Sequence, residues 1–258
     1  MLGGGRRAVN FSKPWKKPGD FFQGLEIGVG RRRIRAMLRI TGGNLGGRLL
    51  KSPPGATRPT QDKVRQAIFS ALGEFTVGAR VLDLFAGCGT LGFEAWSRGA
   101  AEVTLVESDR KTLDVLKENL RQLCPGAGAQ VRCVGSDVFK FLEVVARGVG
   151  VADARAVAPA HKREAAAATA ENAAPTRKLE GVFDLALADP PYDRAGAQRW
   201  LEKTLPALEA GPILRPGGFL VFEMGAYEQP AERAGWTLIW DRTYGGTRVV
   251  MFRRGEQD

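Results

Sequence analysis

Four consecutive residues, Asp189-Pro190-Pro191-Tyr192, are of types that could activate a weak nucleophile. The two prolines lack N–H donors and restrict the backbone, so the Asp189 carboxylate and the Pro190 carbonyl can present acceptors in a fixed arrangement. Such a pair suits the exocyclic amine of a nucleobase, because that amine's lone pair is delocalised and its N–H bonds need converging acceptors. Tyr192 supplies a face on which a flipped base could stack. A Pro-Pro loop with an exposed tyrosine is the alternative interpretation.

A glycine-rich turn follows the apolar run Val81–Phe85 and holds Gly87, Gly89 and Gly92. The glycines match G-x-G-x-x-G, so a dinucleotide-binding dehydrogenase is one hypothesis. Asp83 argues against it, because a carboxylate at the mouth of the turn would repel a pyrophosphate. The same carboxylate would attract a cationic cofactor without phosphate. A tight turn that binds nothing is the remaining alternative.

Two more acids end predicted strands beyond this turn. Glu107 lies about 20 residues past the glycines, where an acid typically accepts hydrogen bonds from ribose hydroxyls. Asp137 ends the next predicted strand. Strand-end acids are common in α/β proteins, so Asp137 is the less specific of the two.

Positive net charge is concentrated in the N-terminal part of the 258-residue chain. The whole carries +10, of which residues 1–36 hold +7 and residues 37–66 hold +5. A cationic front on a near-neutral body is typical of an enzyme that binds a polyanion. Residues 1–36 read equally well as a solvated, disordered basic extension, and translation from Met37 is a second hypothesis.

The composition argues against several other classes of protein. Three scattered cysteines do not form a disulfide framework, which favours a reducing compartment and a cytoplasmic protein. No apolar run is long enough to span a bilayer, so no membrane partner is expected. His161 is the only histidine and lies in an alanine-rich, low-complexity insertion at 147–180, so no metal site is predicted.

The elements that must position these residues alternate between strand and helix patterns, which predicts an α/β fold. A small hairpin over 38–50 precedes a helix from Thr60 whose apolar face includes Val64 and Ile68. Five strands are predicted at 81–85, 103–107, 131–134, 182–188 and 217–223. An antiparallel pair is predicted at 236–240 and 249–252, around the turn Tyr244-Gly245-Gly246. Helices are predicted at 92–98, 110–123 and 199–208. The count matches a doubly wound, Rossmann-like, seven-stranded sheet. Domains are expected at 37–73 and 74–258.

Four arginines near the hairpin and the first helix are candidates for binding nucleic acid: Arg39, Arg48, Arg58 and Arg65. Arg58 and Arg65 flank the predicted start of the helix, where they could hold a phosphate or a cofactor carboxylate. A solvated helix start is the alternative interpretation.

The order D-x-F-x-G-x-G-x-x-G from Asp83 resembles motif I of Rossmann-like S-adenosylmethionine-dependent methyltransferases. That resemblance implies that Asp83, Phe85, Gly87 and Gly89 hold the cofactor with Glu107 and Asp137, the last at its adenine. Residues 37–253 resemble the bacterial small-subunit ribosomal RNA guanine-N2 methyltransferases. Besides this motif, the matching residues are 40–43, 47–48, 57–65, Asp189–Tyr192 and 244–247.

The resemblance implies methylation of one guanine in the assembling small subunit, with ribosomal RNA as partner. Two alternatives stay open. A DNA adenine-N6 methyltransferase shares the D-P-P-Y logic but usually carries a target-recognition domain that we do not find in the sequence. A catalytically silent, cofactor-binding ribosome assembly factor is the other.

Overall fold

The computed structural model describes residues 38–52, 60–148, 183–191, 198–230 and 232–256. The basic extension 1–36, Arg58, Tyr192 and nearly all of the insertion at 147–180 lie outside these ranges. None of the helices within them is long and apolar enough to cross a bilayer.

The described chain forms a doubly wound α/β sheet preceded by a two-stranded hairpin, as predicted. Helix α3 has the predicted bounds, Arg110–Leu123, and begins where the Asp109 side chain accepts a hydrogen bond from the Thr112 N–H at 2.8 Å. The helices are α1 (Thr60–Leu72), α2 (Thr90–Ser97), α3, α4 (Val138–Ala146) and α5 (Trp200–Glu209). The strands are β1 (Leu38–Arg39), β2 (Leu49–Leu50), β3 (Arg80–Asp83), β4 (Glu102–Glu107), β5 (Val131–Gly135), β6 (Phe183–Ala188), β7 (Leu214–Gly225), β8 (Trp236–Tyr244) and β9 (Thr247–Arg254).

The seven-stranded sheet has the order β5-β4-β3-β6-β7-β9-β8. Strands β5, β4, β3, β6 and β7 are parallel, and β9 and β8 add an antiparallel edge. The chain order reverses between β3 and β6, and open α/β sheets bind ligands at the carboxyl ends of such strands. This switch point lies between the glycine-rich turn and Asp189.

Two of the predicted strand bounds were too short. Strand β7 begins at Leu214, although Arg215-Pro216-Gly217 has the composition of a turn, because Phe183 pairs with Leu214 before a register shift. Strand β8 continues past Trp240 to Tyr244 because it stays paired with β9 across a second register shift. Cross-strand pairing, which local sequence does not encode, decides both.

Side chains that alternate along the strands pack into two core layers, one on each face of the sheet. The first layer includes Val81, Leu187 and Val221, together with Ile40 from the hairpin and Ile68 from α1. The second layer lies under α4 and α5. The hairpin and α1 therefore share a core with the sheet.

A buried glutamate docks the hairpin on α2. Glu94 is fully buried, and its carboxylate accepts hydrogen bonds from the Thr41 N–H at 2.7 Å, the Thr41 hydroxyl at 2.7 Å and Arg98 Nε at 2.8 Å. Hydrogen bonds to an ionised acceptor are among the stronger ones, so this cluster compensates the burial of the charge.

A buried amide connects the hairpin to the glycine-rich turn. Asn119 on α3 accepts a hydrogen bond from the Lys51 N–H and donates to the Lys51 and Cys88 carbonyls, each at 2.9 Å. The end of β2, α3 and the turn are therefore joined through one side chain.

We expect Asn119→Ala to lower the free energy of unfolding by about 2–3 kcal/mol, because it leaves the buried Cys88 carbonyl and the part-buried backbone groups of Lys51 without their partner. Chemical denaturation checks this value, with Gln122→Ala as the matched control, since Gln122 is an exposed amide on the same helix. Equal losses in the two variants would contradict the proposed connection.

Candidate active site

The glycine-rich turn leaves an open approach beside the end of β3. Gly87 has a φ of 55°, and a Cβ built there meets nothing within 4 Å, so any side chain would stand in the cleft. Gly89 has a φ of 92°, and a Cβ there would lie 2.3 Å from the Phe93 ring. Both positions therefore require glycine, one for access to the cleft and one for packing.

A cavity of about 230 Å³ lies against this turn. Asp83 and Phe85 from the end of β3 meet Asp189 from the end of β6 in its wall. The hairpin also contributes, through Leu38. The other lining residues are Ala86, Gly87, Cys88, Thr90, Leu91 and Thr112.

Asp83 faces this cavity with one carboxylate oxygen unpaired. Its Oδ2 accepts a hydrogen bond from the Gly92 N–H at 2.9 Å, while its buried Oδ1 has no hydrogen-bond partner among the described residues. Burial, together with the charges of Asp189 and Glu107, raises the pKa of Asp83 to about 7 against the opposing Gly92 hydrogen bond. A cationic ligand next to Asp83 would offset both the cost of burying its charge and its repulsion by Asp189 and Glu107.

Glu107 holds the turn in place. Its Oε2 accepts from the Gly87 N–H at 2.9 Å, and its Oε1 accepts from the Asp109 N–H at 2.7 Å. Asp137, predicted for the adenine, is exposed and caps α4 by accepting from the Phe139 and Lys140 N–H groups at 3.1 Å. Contacts of both acids with a cofactor stay predictions.

A narrow recess adjoins the cavity on the other side of Asp189, with a volume of about 10 Å³, which is room for one water. Asp189 therefore lines both spaces. Pro190 is buried and Pro191 is exposed at the rim. The other lining residues are Trp200, Phe222, Glu223, Met224, Gly225 and Glu228.

Two of the three acids that line this recess, Asp189 and Glu223, have raised pKa values. Burial raises the pKa of Asp189 to about 6. Burial also raises the pKa of Glu223 well above its usual range, and the charges of Asp189 and Asp83 add to the effect against the opposing charge of Arg65. Raised carboxyl pKa values in a cleft are typical of functional sites.

The predicted nucleic-acid-binding arginines differ in their surroundings. Arg39 and Arg48 are exposed on the hairpin, and Arg39 Nε donates to Asp62 at 2.9 Å. Arg65 is 2% exposed and donates to the Arg39 carbonyl at 2.8 Å and to Asp62 at 2.6 Å. This burial argues against a phosphate contact for Arg65 and indicates that it is an internal countercharge.

Two residues with evident roles in this region carried no prediction. The sequence predicts no role for Glu94, and it predicts Glu223 only as the last residue of the strand 217–223. A signal for Glu223 was present, because it is the last residue of the predicted strand 217–223, although β7 itself continues to Gly225. The burial of Glu94 left no comparable mark in the sequence.

The sheet order, the glycine-rich turn and the acids at the switch point define a Rossmann-like methyltransferase fold. The family described as "Conserved hypothetical protein 95" matches residues 38–166 and 153–253, and the chain belongs to this family.

Relatives with curated names support the same placement. Ribosomal RNA small subunit methyltransferase D of Escherichia coli strain K12 is 31% identical over 227 residues, spanning 86% of this chain and 93% of that protein. The Haemophilus influenzae protein of the same name is 44% identical over 197 residues, spanning 76% and 81%. The solved structure of yhhF from Escherichia coli is 30% identical with a TM-score of 0.63, covering 86% of this chain and 99% of that one.

The raised pKa of Asp83 predicts a pH-dependent stability of the ligand-free protein. The neutral Asp83 side chain contributes fully to the free energy of unfolding below about pH 4, and this contribution is lost as the pH rises to about 7. The free energy of unfolding falls by no more than about 1.4 kcal/mol per pH unit for this reason. The amide introduced by Asp83→Asn cannot ionise, so the stability of this variant relative to the unsubstituted protein should grow across this window.

Denaturant titrations at intervals between about pH 4 and about pH 8 measure this difference. Asp114→Asn, at an exposed acid on α3, is the control and should show no such growth. A constant difference for Asp83→Asn across the window would contradict the assignment.

Proposed function

We propose that the protein transfers a methyl group from S-adenosylmethionine to the exocyclic N2 amine of a guanine in small-subunit ribosomal RNA. One observation carries the proposal: Asp83, beside the glycine-rich turn, and Asp189, at the start of the D-P-P-Y motif, line the same cavity. A cofactor held by the first and an amine held by the second would therefore be neighbours.

The residues around the cavity fit this cofactor. The unpaired Oδ1 of Asp83 is a buried acceptor for a cationic group, and the open space at Gly87 admits a ligand to the backbone. Phe85, Gly89, Glu107 and Asp137 complete the proposed set. When bound, S-adenosylmethionine supplies an electrophilic methyl group on a positively charged sulfur.

Asp189 and Pro190 act on the amine. Their carboxylate and carbonyl oxygens accept hydrogen bonds from the two N–H groups of the amine. These hydrogen bonds draw the nitrogen lone pair out of conjugation with the ring, so that it can point toward the methyl carbon. Transfer of a methyl group to the amine would release one amine proton, and Asp189 is the proposed acceptor of that proton. Tyr192 remains the proposed stacking partner of the base.

The RNA is proposed to enter along the hairpin. Arg39 and Arg48 are exposed there, while Leu38, next to Arg39, lines the cofactor cavity. A strand bound by these arginines would therefore lie close to the reacting groups. The names of the curated relatives support ribosomal RNA of the small subunit as the substrate, in preference to DNA.

We expect Asp189→Asn to reduce methyl transfer by about 10²–10⁴-fold, because a neutral amide is a weaker acceptor and takes up no proton. Transfer of labelled methyl groups to small subunits, free RNA and DNA measures this, followed by digestion and identification of the nucleoside. Cofactor binding should persist, and Asp114→Asn should behave as the unsubstituted protein.

N2-methylguanosine from the ribosomal substrate is the expected product. N6-methyladenosine from DNA would favour the adenine-directed alternative. Cofactor binding without transfer to any substrate would favour a silent assembly factor, and undiminished transfer by Asp189→Asn would contradict the role of Asp189.

A further inference from the structure

Glu223 lies beside Asp189 at the carboxyl ends of two adjacent parallel strands. Ala188 of β6 is paired with Phe222 of β7, so the residues that follow, Asp189 and Glu223, are next in register. Leu187 and Val221, two residues earlier, belong to the same core layer, so the strand period directs both acids to one face of the sheet. Both line the narrow recess.

Neither carboxyl group accepts a hydrogen bond from any residue in the described ranges. The third acid of the recess differs, because Glu228 Oε1 accepts from the Gly225 N–H at 2.7 Å. Arg65 is a nearby cation, but its Nη2 donates to Asp62 and to the Arg39 carbonyl, and its Nε lies 3.9 Å from Glu94 Oε2. Within the part of the chain that the structure describes, these two adjacent carboxyl groups therefore have no donor in a partly buried cleft, which is costly unless a ligand supplies one.

The Watson–Crick edge of guanine supplies such donors. Its N1–H and its N2 amine are neighbouring donors, whereas adenine presents an N6 amine beside N1, which is an acceptor. Two adjacent carboxylates in their ionised form are complementary to the guanine pattern, and the N–H donors of guanine favour that form, whereas with adenine an ionised Glu223 would face the N1 acceptor.

Resting on the proposed function, we infer that Glu223 accepts a hydrogen bond from guanine N1–H while Asp189 engages the N2 amine, so that Glu223 selects guanine against adenine. Glu223 is a specificity residue in this arrangement. Sites built to bond a substrate N–H reject analogues that lack it because the site's own polar group is then left unpaired.

An analogue that keeps the reacting amine and removes only the N1–H isolates this contact. 2-Aminopurine has an amine at position 2, and its N1 is an acceptor. The target guanosine, once located with the unsubstituted protein, is replaced by 2-aminopurine riboside in reconstituted small subunits, and kcat/KM is compared for the two substrates.

The unsubstituted protein should prefer guanine by a factor on the order of 10³. Glu223→Gln should reduce this preference to within about tenfold, because an amide can donate to the free N1 as well as accept from N1–H. Its affinity for the cofactor, measured by calorimetry, should be unchanged, which shows that the variant is folded. Glu102→Gln, at the amino end of β4 on the far side of β3 from β6, should keep the full preference.

A full preference for guanine retained by Glu223→Gln would overturn the inference. Loss of cofactor affinity in Glu223→Gln would also overturn it, since Glu223 would then serve the cofactor site. If the unsubstituted protein makes no N2-methylguanosine, the proposed function itself fails, and this outcome is visible before any variant is tested.

Discussion

Mutual repulsion among three carboxyl groups is the constraint on which this site depends. Asp83, Asp189 and Glu223 lie at the ends of the neighbouring strands β3, β6 and β7, and burial raises the pKa of each. Burial and this repulsion both favour the protonated form of these acids in the ligand-free protein. A cation next to Asp83 and N–H donors next to the other two would replace those protons.

The rest of the fold holds this arrangement in place. Glu107 pins the Gly87 N–H, and Asn119 joins the same turn to the end of the hairpin. Glu94 docks the hairpin on the helix that follows the turn. The hairpin is therefore part of the wall of the cofactor cavity, which brings the proposed RNA-binding surface and the reacting groups within one packed unit.

Much of this could be predicted from local sequence, because strand periodicity, a glycine-rich turn and a Pro-Pro motif each have local physical causes. The seven-stranded sheet and the helix at 110–123 are confirmed for that reason. The surroundings of Arg65 could not be predicted, since they depend on packing against Arg39 and Glu94, far apart in the chain. The role of Glu223 depends on its register with β6, which only the assembled sheet specifies.

Proton release on cofactor binding tests the central claim most directly. S-Adenosylmethionine is titrated calorimetrically at about pH 6.5 into the protein in two buffers of different ionisation enthalpy. The account predicts net release of protons, because a cation beside Asp83 favours its ionised form, and a smaller release in Asp83→Asn. Binding without proton exchange, or with proton uptake, would contradict it.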